Sequence, residues 1–190
     1  MKKLLITGFE PFGGEKINPS WEAVCRLPEE IGGYALTRLR IPVVFGQAAE
    51  MLQSEIRRIC PDVVISCGVA SGRNGVTPEL VAINYRKARI PDNAGQSYAG
   101  EPILPGGDTA YMTRLPVNEM VAAIQAEQIH ASLSLSAGAY VCNDVYYALL
   151  RSETALRHRG LFVHVPDAEV VSAQQAARAL TICLETALSE

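Results

Sequence analysis

Short apolar runs of strand character alternate with runs of helical period along the chain. This alternation constrains the fold more than any other feature. It predicts an α/β architecture, a twisted, largely parallel sheet with helices on both faces in three layers. Strands are expected over residues 3–7, 34–41, 62–67, 80–85, 131–136 and 161–165. Helices are expected over 20–27, 47–59, 117–128, 143–157 and 169–188. Residues 34–41 set Leu36, Leu39 and Ile41 against Thr37, Arg38 and Arg40, the alternation of a strand. Ala48, Met51, Leu52, Ile56 and Ile59 share one face of a helix that Pro61 closes. In such sheets, functional groups gather at the carboxyl ends of the strands.

The chain has 190 residues, 48% of them hydrophobic and 19% charged, which excludes a disordered chain. A chain of this size hides roughly 70% of its unfolded surface, so one domain over residues 1–190 is expected. The net charge of −3 gives no basic excess to hold a phosphate backbone, so nucleic acid is not an expected partner. The apolar run behind the basic opening stops at Ile6, short of the ~7 residues a signal sequence needs. No stretch approaches the roughly 20 apolar residues of a membrane span. The five Cys form no C-x-x-C pattern. A reduced, cytoplasmic protein with no membrane partner is expected.

Several motifs come close and fail. The loop at 8–14 follows a strand like a phosphate-binding loop, but Gly14 and Glu15 stand where Lys and Ser or Thr belong. In 68–72, Ser71 is one place late for a nucleophile elbow. His130, His158 and His164 offer no i, i+4 pair for a helical metal site. No metal and no cofactor are expected. Residues 91–107 carry Gly and Pro without periodicity, a long loop of the kind that serves as a lid or binding surface.

One constellation survives. The strand expected at 131–136 runs through a turn to Cys142 and then into a helix. Free amides and the positive dipole at a helix start lower a thiol pKa from about 8.5. The alternative for Cys142 is a small buried residue. Cys67 ends a buried strand and is its only rival. A thiol nucleophile needs a base. His164 lies near the carboxyl end of the strand at 161–165, on the same sheet edge; its alternative is a satisfied core histidine. His130 precedes a strand and sits at the wrong edge, and His158, between two arginines at a helix end, reads as solvated. Glu79 leads into an apolar strand, where it is either a solvated turn residue or the acid that orients the imidazole.

These segments together resemble pyroglutamyl peptidase type I, a cysteine peptidase family also called pyrrolidone-carboxylate peptidase. The resemblance spans nearly the whole chain. It rests on residues 7–14, Asn18 to Ser20, Gly72 and Arg73, Thr77 to Glu79, Ala82 to Asn84, Ala88 to Asn93, Ala137 and Gly138, Tyr140 to Asn143, and His164 to Pro166, in the family's order. It implies Cys142 as nucleophile, His164 as general base and acid, and Glu79 as orienting carboxylate. It further implies Phe9 and Phe12 as ring-holding aromatics, Asn18 near the lactam, Arg89 near the reacting carbonyl, and Ile90, Tyr140 and Val141 as pocket positions. The implied activity is metal-free removal of an N-terminal pyroglutamyl residue from peptides, by a chain often assembled as a homotetramer.

A neutral, flat lactam suits a site with two Phe and a few amides, and such a pocket rejects free Glu, whose charges would be buried unpaired. Phe9 and Phe12 have core packing under the loop as their other role. The chain departs from the family pattern at Val69, Leu80, Tyr85 to Lys87 and Asp167 to Val170, positions that bear on the leaving peptide and on assembly more than on the reaction. Two further readings stay open: an amidase or esterase for another small acyl group, and a non-catalytic binding subunit on the same scaffold.

Overall fold

Strand β1 (Lys3–Phe9) buries six of its seven residues. A strand covered on both faces belongs inside a parallel sheet. In the computed structural model, residues 2–189 are described; Met1 and Glu190, which the single-domain expectation also spans, lie outside them. Behind β1 come α1 (Pro19–Val24), β2 (Glu30–Ile31), β3 (Tyr34–Ile41), α2 (Gln47–Ile59) and β4 (Val63–Val69). They are followed by β5 (Thr77–Pro78), β6 (Val81–Ile83), β7 (Ala110–Met112), α3 (Val117–Ala126), α4 (Val141–Leu156), β8 (Arg159–Val165) and α5 (Ala173–Leu188).

The main sheet has the order β2-β3-β1-β4-β8-β5. Its inner pairings, β3 with β1, β1 with β4 and β4 with β8, are parallel. The two edge strands run antiparallel, so the sheet is mixed at its margins and parallel at its centre. Side-chain alternation assigns the two faces. Leu4 and Ile6, Ile65 and Cys67, Leu161 and Val163 pack with α1, α3 and α5. Leu5, Phe9, Val64 and Phe162 pack with α2 and α4. The result is the three-layer α/β fold expected from the alternating runs. Among the described residues, no helix is long and apolar enough to cross a membrane.

The largest departure lies at 131–136, which forms no strand. Only two isolated bridges, Val76 with Ala131 and Glu79 with Ser134, tie it to the sheet edge. Backbone bonds run along it, from the Ser132 and Ser134 amides to the Val76 and Pro78 carbonyls, and stop at Ser136, whose amide and carbonyl both bond the Ser134 hydroxyl. The strand expected at 80–85 shortens to β6 and pairs with β7, a strand inside a stretch without clear period. The helix expected from 169 starts at Ala173, where Ser172 and Gln175 close a capping box. Helix α4 starts two residues earlier than expected, at Val141, so Cys142 lies within its first turn.

Candidate active site

Strands β4 and β8 run in parallel register, with Gly68 beside His164. Both are near the carboxyl ends of their strands, and His164 shares the α2/α4 face with Phe162. Helix α4 begins over this edge. Asn143, fully buried in its first turn, accepts a hydrogen bond from the Ile83 amide and donates to the Ile83 and Tyr85 carbonyls. Asp144 beside it accepts from the Gly46 amide and pairs with Arg86. These buried bonds fix where the helix starts and where Cys142 points. The Cys142 sulfur lies directly over Gly68: a Cβ on that glycine would meet Sγ at 2.9 Å. Any side chain larger than hydrogen at position 68 would displace the thiol.

The His164 Nδ1 lies 2.7 Å from Glu79 Oε1. Glu79 is fully buried, so it is not a solvated turn residue. Its backbone is pinned as well: its amide donates to the Phe162 carbonyl and its carbonyl accepts from the Tyr146 hydroxyl. With the carboxylate as acceptor, Nδ1 carries the proton and Nε2 keeps its lone pair. The Phe162 ring, 4.7 Å from the imidazole centroid, supports it from the side.

Sequence reasoning missed a role for Arg73. Its guanidinium donates to the same Glu79 oxygen at 2.6 Å, to the Thr77 hydroxyl, and to the Ser136 carbonyl at 3.0 Å. The signals were an arginine directly behind a glycine turn and its place in the family-like pair Gly72 and Arg73, neither of which named its partner. Gly68 and Asn143 were missed too, because what each does depends on contacts far away in sequence.

The charges balance as follows. Burial pushes the Glu79 carboxyl up, but the His164 bond, with Arg73 adding to it, holds it below the ordinary carboxylate value. Burial pushes His164 down, and Glu79 recovers only part of that. The imidazole is therefore neutral at pH 7. Cys142 departs from expectation: burial, reinforced by the Glu79 charge, pushes its thiol up to about 12, against the opposing pull of Arg73 and its own backbone amide. The helix start is present, but desolvation outweighs it. The resting group is a thiol.

Two hollows meet at Cys142. One is a narrow pocket of about 40 Å³ lined by Phe9, Phe12, Asn18, Val43, Tyr140 and Val141, among others. The other is an open cleft of about 720 Å³ that includes Arg89, Ile90, His164 and Tyr140. Every residue expected at the site therefore borders one of the two, except Glu79, which stands behind His164. Phe9 is buried and packs on Phe162, while Phe12 is half-buried and faces Tyr140 at 6.5 Å. Tyr140 donates its hydroxyl to the Pro91 carbonyl. Asn18 spends most of its carboxamide on the loop, accepting from Ser20 and donating to the Glu10 carbonyl, as the cap of α1.

His158 is not solvated. It is 2% exposed, with Nε2 3.3 Å from the Leu149 carbonyl, because the first residues of β8 turn it under α4. His130 is exposed, apart from the site. Cys67 and Cys183 are fully buried, and burial raises both thiols. Cys25 and Cys60 cap helix ends and are exposed.

A parallel-centred α/β sheet with a cysteine and a carboxylate-bound histidine at its carboxyl edge defines the class, and the chain is a cysteine peptidase. The family model described as pyroglutamyl peptidase matches residues 2–190, and the chain belongs to that family. It is 49% identical over 167 residues to the pyrrolidone-carboxylate peptidase of Erwinia tasmaniensis, covering 87% of this chain and 78% of that one. With the enzyme of the same name from Escherichia fergusonii it shares 43% over 200 residues, covering 99% and 94%. The crystal structure of pyroglutamyl peptidase I from Bacillus amyloliquefaciens superposes with a TM-score of 0.93 at 40% identity, covering 100% of this chain and 96% of that one. A mutant pyrrolidone carboxyl peptidase from the hyperthermophile Pyrococcus furiosus gives 0.92 at 36%, covering 98% of each.

Proposed function

We propose that the chain, acting as one catalytic unit, hydrolyses the amide bond behind an N-terminal pyroglutamyl residue of peptides. The observation that carries this reading is the narrow aromatic pocket with Cys142 in its wall. A neutral five-membered lactam fits between aromatic and aliphatic walls that offer no partner for a free ammonium or carboxylate. The family membership and the curated relatives' names support the same substrate.

In the proposed mechanism, His164 Nε2 takes the Cys142 proton as Sγ attacks the pyroglutamyl carbonyl carbon. Concerted transfer suits a half-buried thiol pushed up to about 12, which holds almost no thiolate at rest. The carbonyl oxygen becomes an oxyanion facing the Cys142 amide in the first turn of α4, with Arg89 as a second donor. Glu79 steadies the imidazolium. The C–N bond then breaks, and His164 returns its proton to the departing amine. Water, activated by the same imidazole, hydrolyses the thioester. No metal or cofactor takes part in these steps. Reduced, cytoplasmic working and assembly as a homotetramer belong to the same proposal, and the five free cysteines suit a reducing compartment.

The test is chromophore release from a pyroglutamyl amide compared with prolyl and glutaminyl amides. Release from the first alone supports the reading. Equal release from all three would make the protein a general small-acyl amidase, and no release from any would remove catalysis on this scaffold.

A further inference from the structure

Residues 85–89 run extended beside the loop at 98–101. The amides of Arg86 and Ala88 donate to the carbonyls of Glu101 and Tyr98 at 2.8 and 2.9 Å. Side chains of an extended segment alternate in direction. Arg86 turns inward, pairs with Asp144 and lies over the rings of Phe45 and Tyr98, and Ala88 packs against the α2/α4 core. Lys87 and Arg89 take the opposite direction and line the open cleft beyond Cys142. The Lys87 amide donates to the Ala139 carbonyl at 2.8 Å, which fixes this segment beside the turn that leads to the nucleophile.

The third cation of the cleft, Arg73, is spent on Glu79. Lys87 and Arg89 are exposed, and among the described residues neither has an ion-pair partner. Among the described residues no Asp or Glu side chain lines the cleft; Asp167, behind its wall, has its carboxylate taken up by the Ser71 hydroxyl and the Gly72 amide. The acyl pocket is neutral and Arg89 already serves the reacting carbonyl, so Lys87 is the cation left to act on what lies beyond the scissile bond.

We propose that the cleft selects leaving peptides with a carboxylate close behind the scissile bond, and that Lys87 is the specificity-determining residue. This rests on the pyroglutamyl-peptidase reading above. The carboxylate has two sources, an Asp or Glu side chain next to the pyroglutamyl group or the C-terminus of a very short peptide. One exposed charge pair contributes little, but two cations in one walled cleft also steer the approach of an anion, so an effect of about fivefold is expected. Salt of roughly 0.5 M or more should screen most of it.

The experiment measures kcat/KM at low and high salt for pyroglutamyl-alanyl amide, pyroglutamyl-glutamyl amide, pyroglutamyl-lysyl amide and pyroglutamyl-alanine with a free carboxylate. At low salt, the glutamyl amide and the free acid should exceed the alanyl amide about fivefold, and the lysyl amide should fall below it. A gain for only one of the two acids identifies the source. Lys87→Glu should reverse the order of the glutamyl and lysyl amides, and Lys87→Gln should bring both close to the alanyl amide. Equal rates for all four substrates, a faster lysyl amide, or an order untouched by Lys87→Glu would overturn charge selection alone. Failure to cleave any of the four would overturn the underlying reading, and this one with it.

Discussion

Replacing Gly68 with Ala inserts a single methyl carbon between the sheet and Cys142, the proposed nucleophile. That carbon would lie 2.9 Å from Cys142 Sγ and 2.9 Å from Phe162 Cζ. Carbon contacts settle at about 3.5–4.0 Å, so each neighbour must recede by roughly 0.6 Å or more. Phe162 has little room, since it is fully buried and its ring packs on Tyr146 and His164 at 5.8 and 4.7 Å. Strand β4 is held in register on both sides. The displacement therefore falls on the thiol. Overpacking of this kind costs about 1–3 kcal/mol, a Tm drop of roughly 2–12 °C for a chain of this size. A misplacement near 1 Å costs on the order of 100-fold in rate. Gly68→Ala should lower kcat/KM on a pyroglutamyl amide by about 10–100-fold while the protein stays folded by circular dichroism. Gly160→Ala is the control. Its Cβ would meet the Leu149 side chain at 2.8 Å, away from the thiol, so it should cost similar stability and keep activity within about threefold. A folded Gly68→Ala variant with wild-type kcat/KM would refute the placement of the reacting sulfur over this glycine.

His164→Ala should lose nearly all turnover, whereas Glu79→Gln should keep a fraction, because an amide oxygen still accepts the imidazole proton; wild-type turnover in His164→Ala would remove the base. Phe12→Ala should reduce kcat/KM on pyroglutamyl amides by at least ~10-fold and leave alkylation of Cys142 by iodoacetamide nearly unchanged; a parallel loss of both would mean that the loop supports the thiol instead of the ring. His158 and His164 are both held below their ordinary value of 6.5, chiefly by burial, so the unfolded chain binds more protons as pH falls through 6.5. Denaturant midpoints should therefore be highest at about pH 7–8 and decline below about 7, with Glu79, lowered from 4.5, adding to the loss at still lower pH, and they should decline again at alkaline pH, where the thiols of Cys67, Cys142 and Cys183 ionise only in the unfolded chain. A midpoint that rose on acidification below about pH 7 would contradict the burial of the two histidines.

The central strands were readable because they are apolar on both faces and β3 because it alternates, and the helices because their period and their Pro and Ser boundaries are local signals. Residues 131–136 were read as a full strand, whereas the folded backbone keeps the pairing to isolated bridges through Ser134, and Ser136 bonds the hydroxyl of its own neighbour instead. Cys142 was legible from its place before a helix, but its ionisation was not. A helix start is a sequence feature, whereas the desolvation that outweighs it comes from β4, β8 and the loop at 8–14 closing around it. Arg73, Gly68 and Asn143 were illegible for a related reason. Each acts through a partner that the fold brings near, Glu79, Cys142 and the backbone at 83–85. His158 is the converse, a histidine between two arginines that looked solvated until the start of β8 carried it beneath α4.

The central claim is that Cys142 carries the pyroglutamyl group during turnover. Rapid acid quenching of the enzyme with a pyroglutamyl ester, followed by peptide mapping in a mass spectrometer, tests it directly. Acylation should appear on the peptide that contains Cys142, disappear on treatment with hydroxylamine as a thioester does, and be absent from Cys142→Ala. Acylation on Cys67, or turnover that persists in Cys142→Ala, would contradict the account.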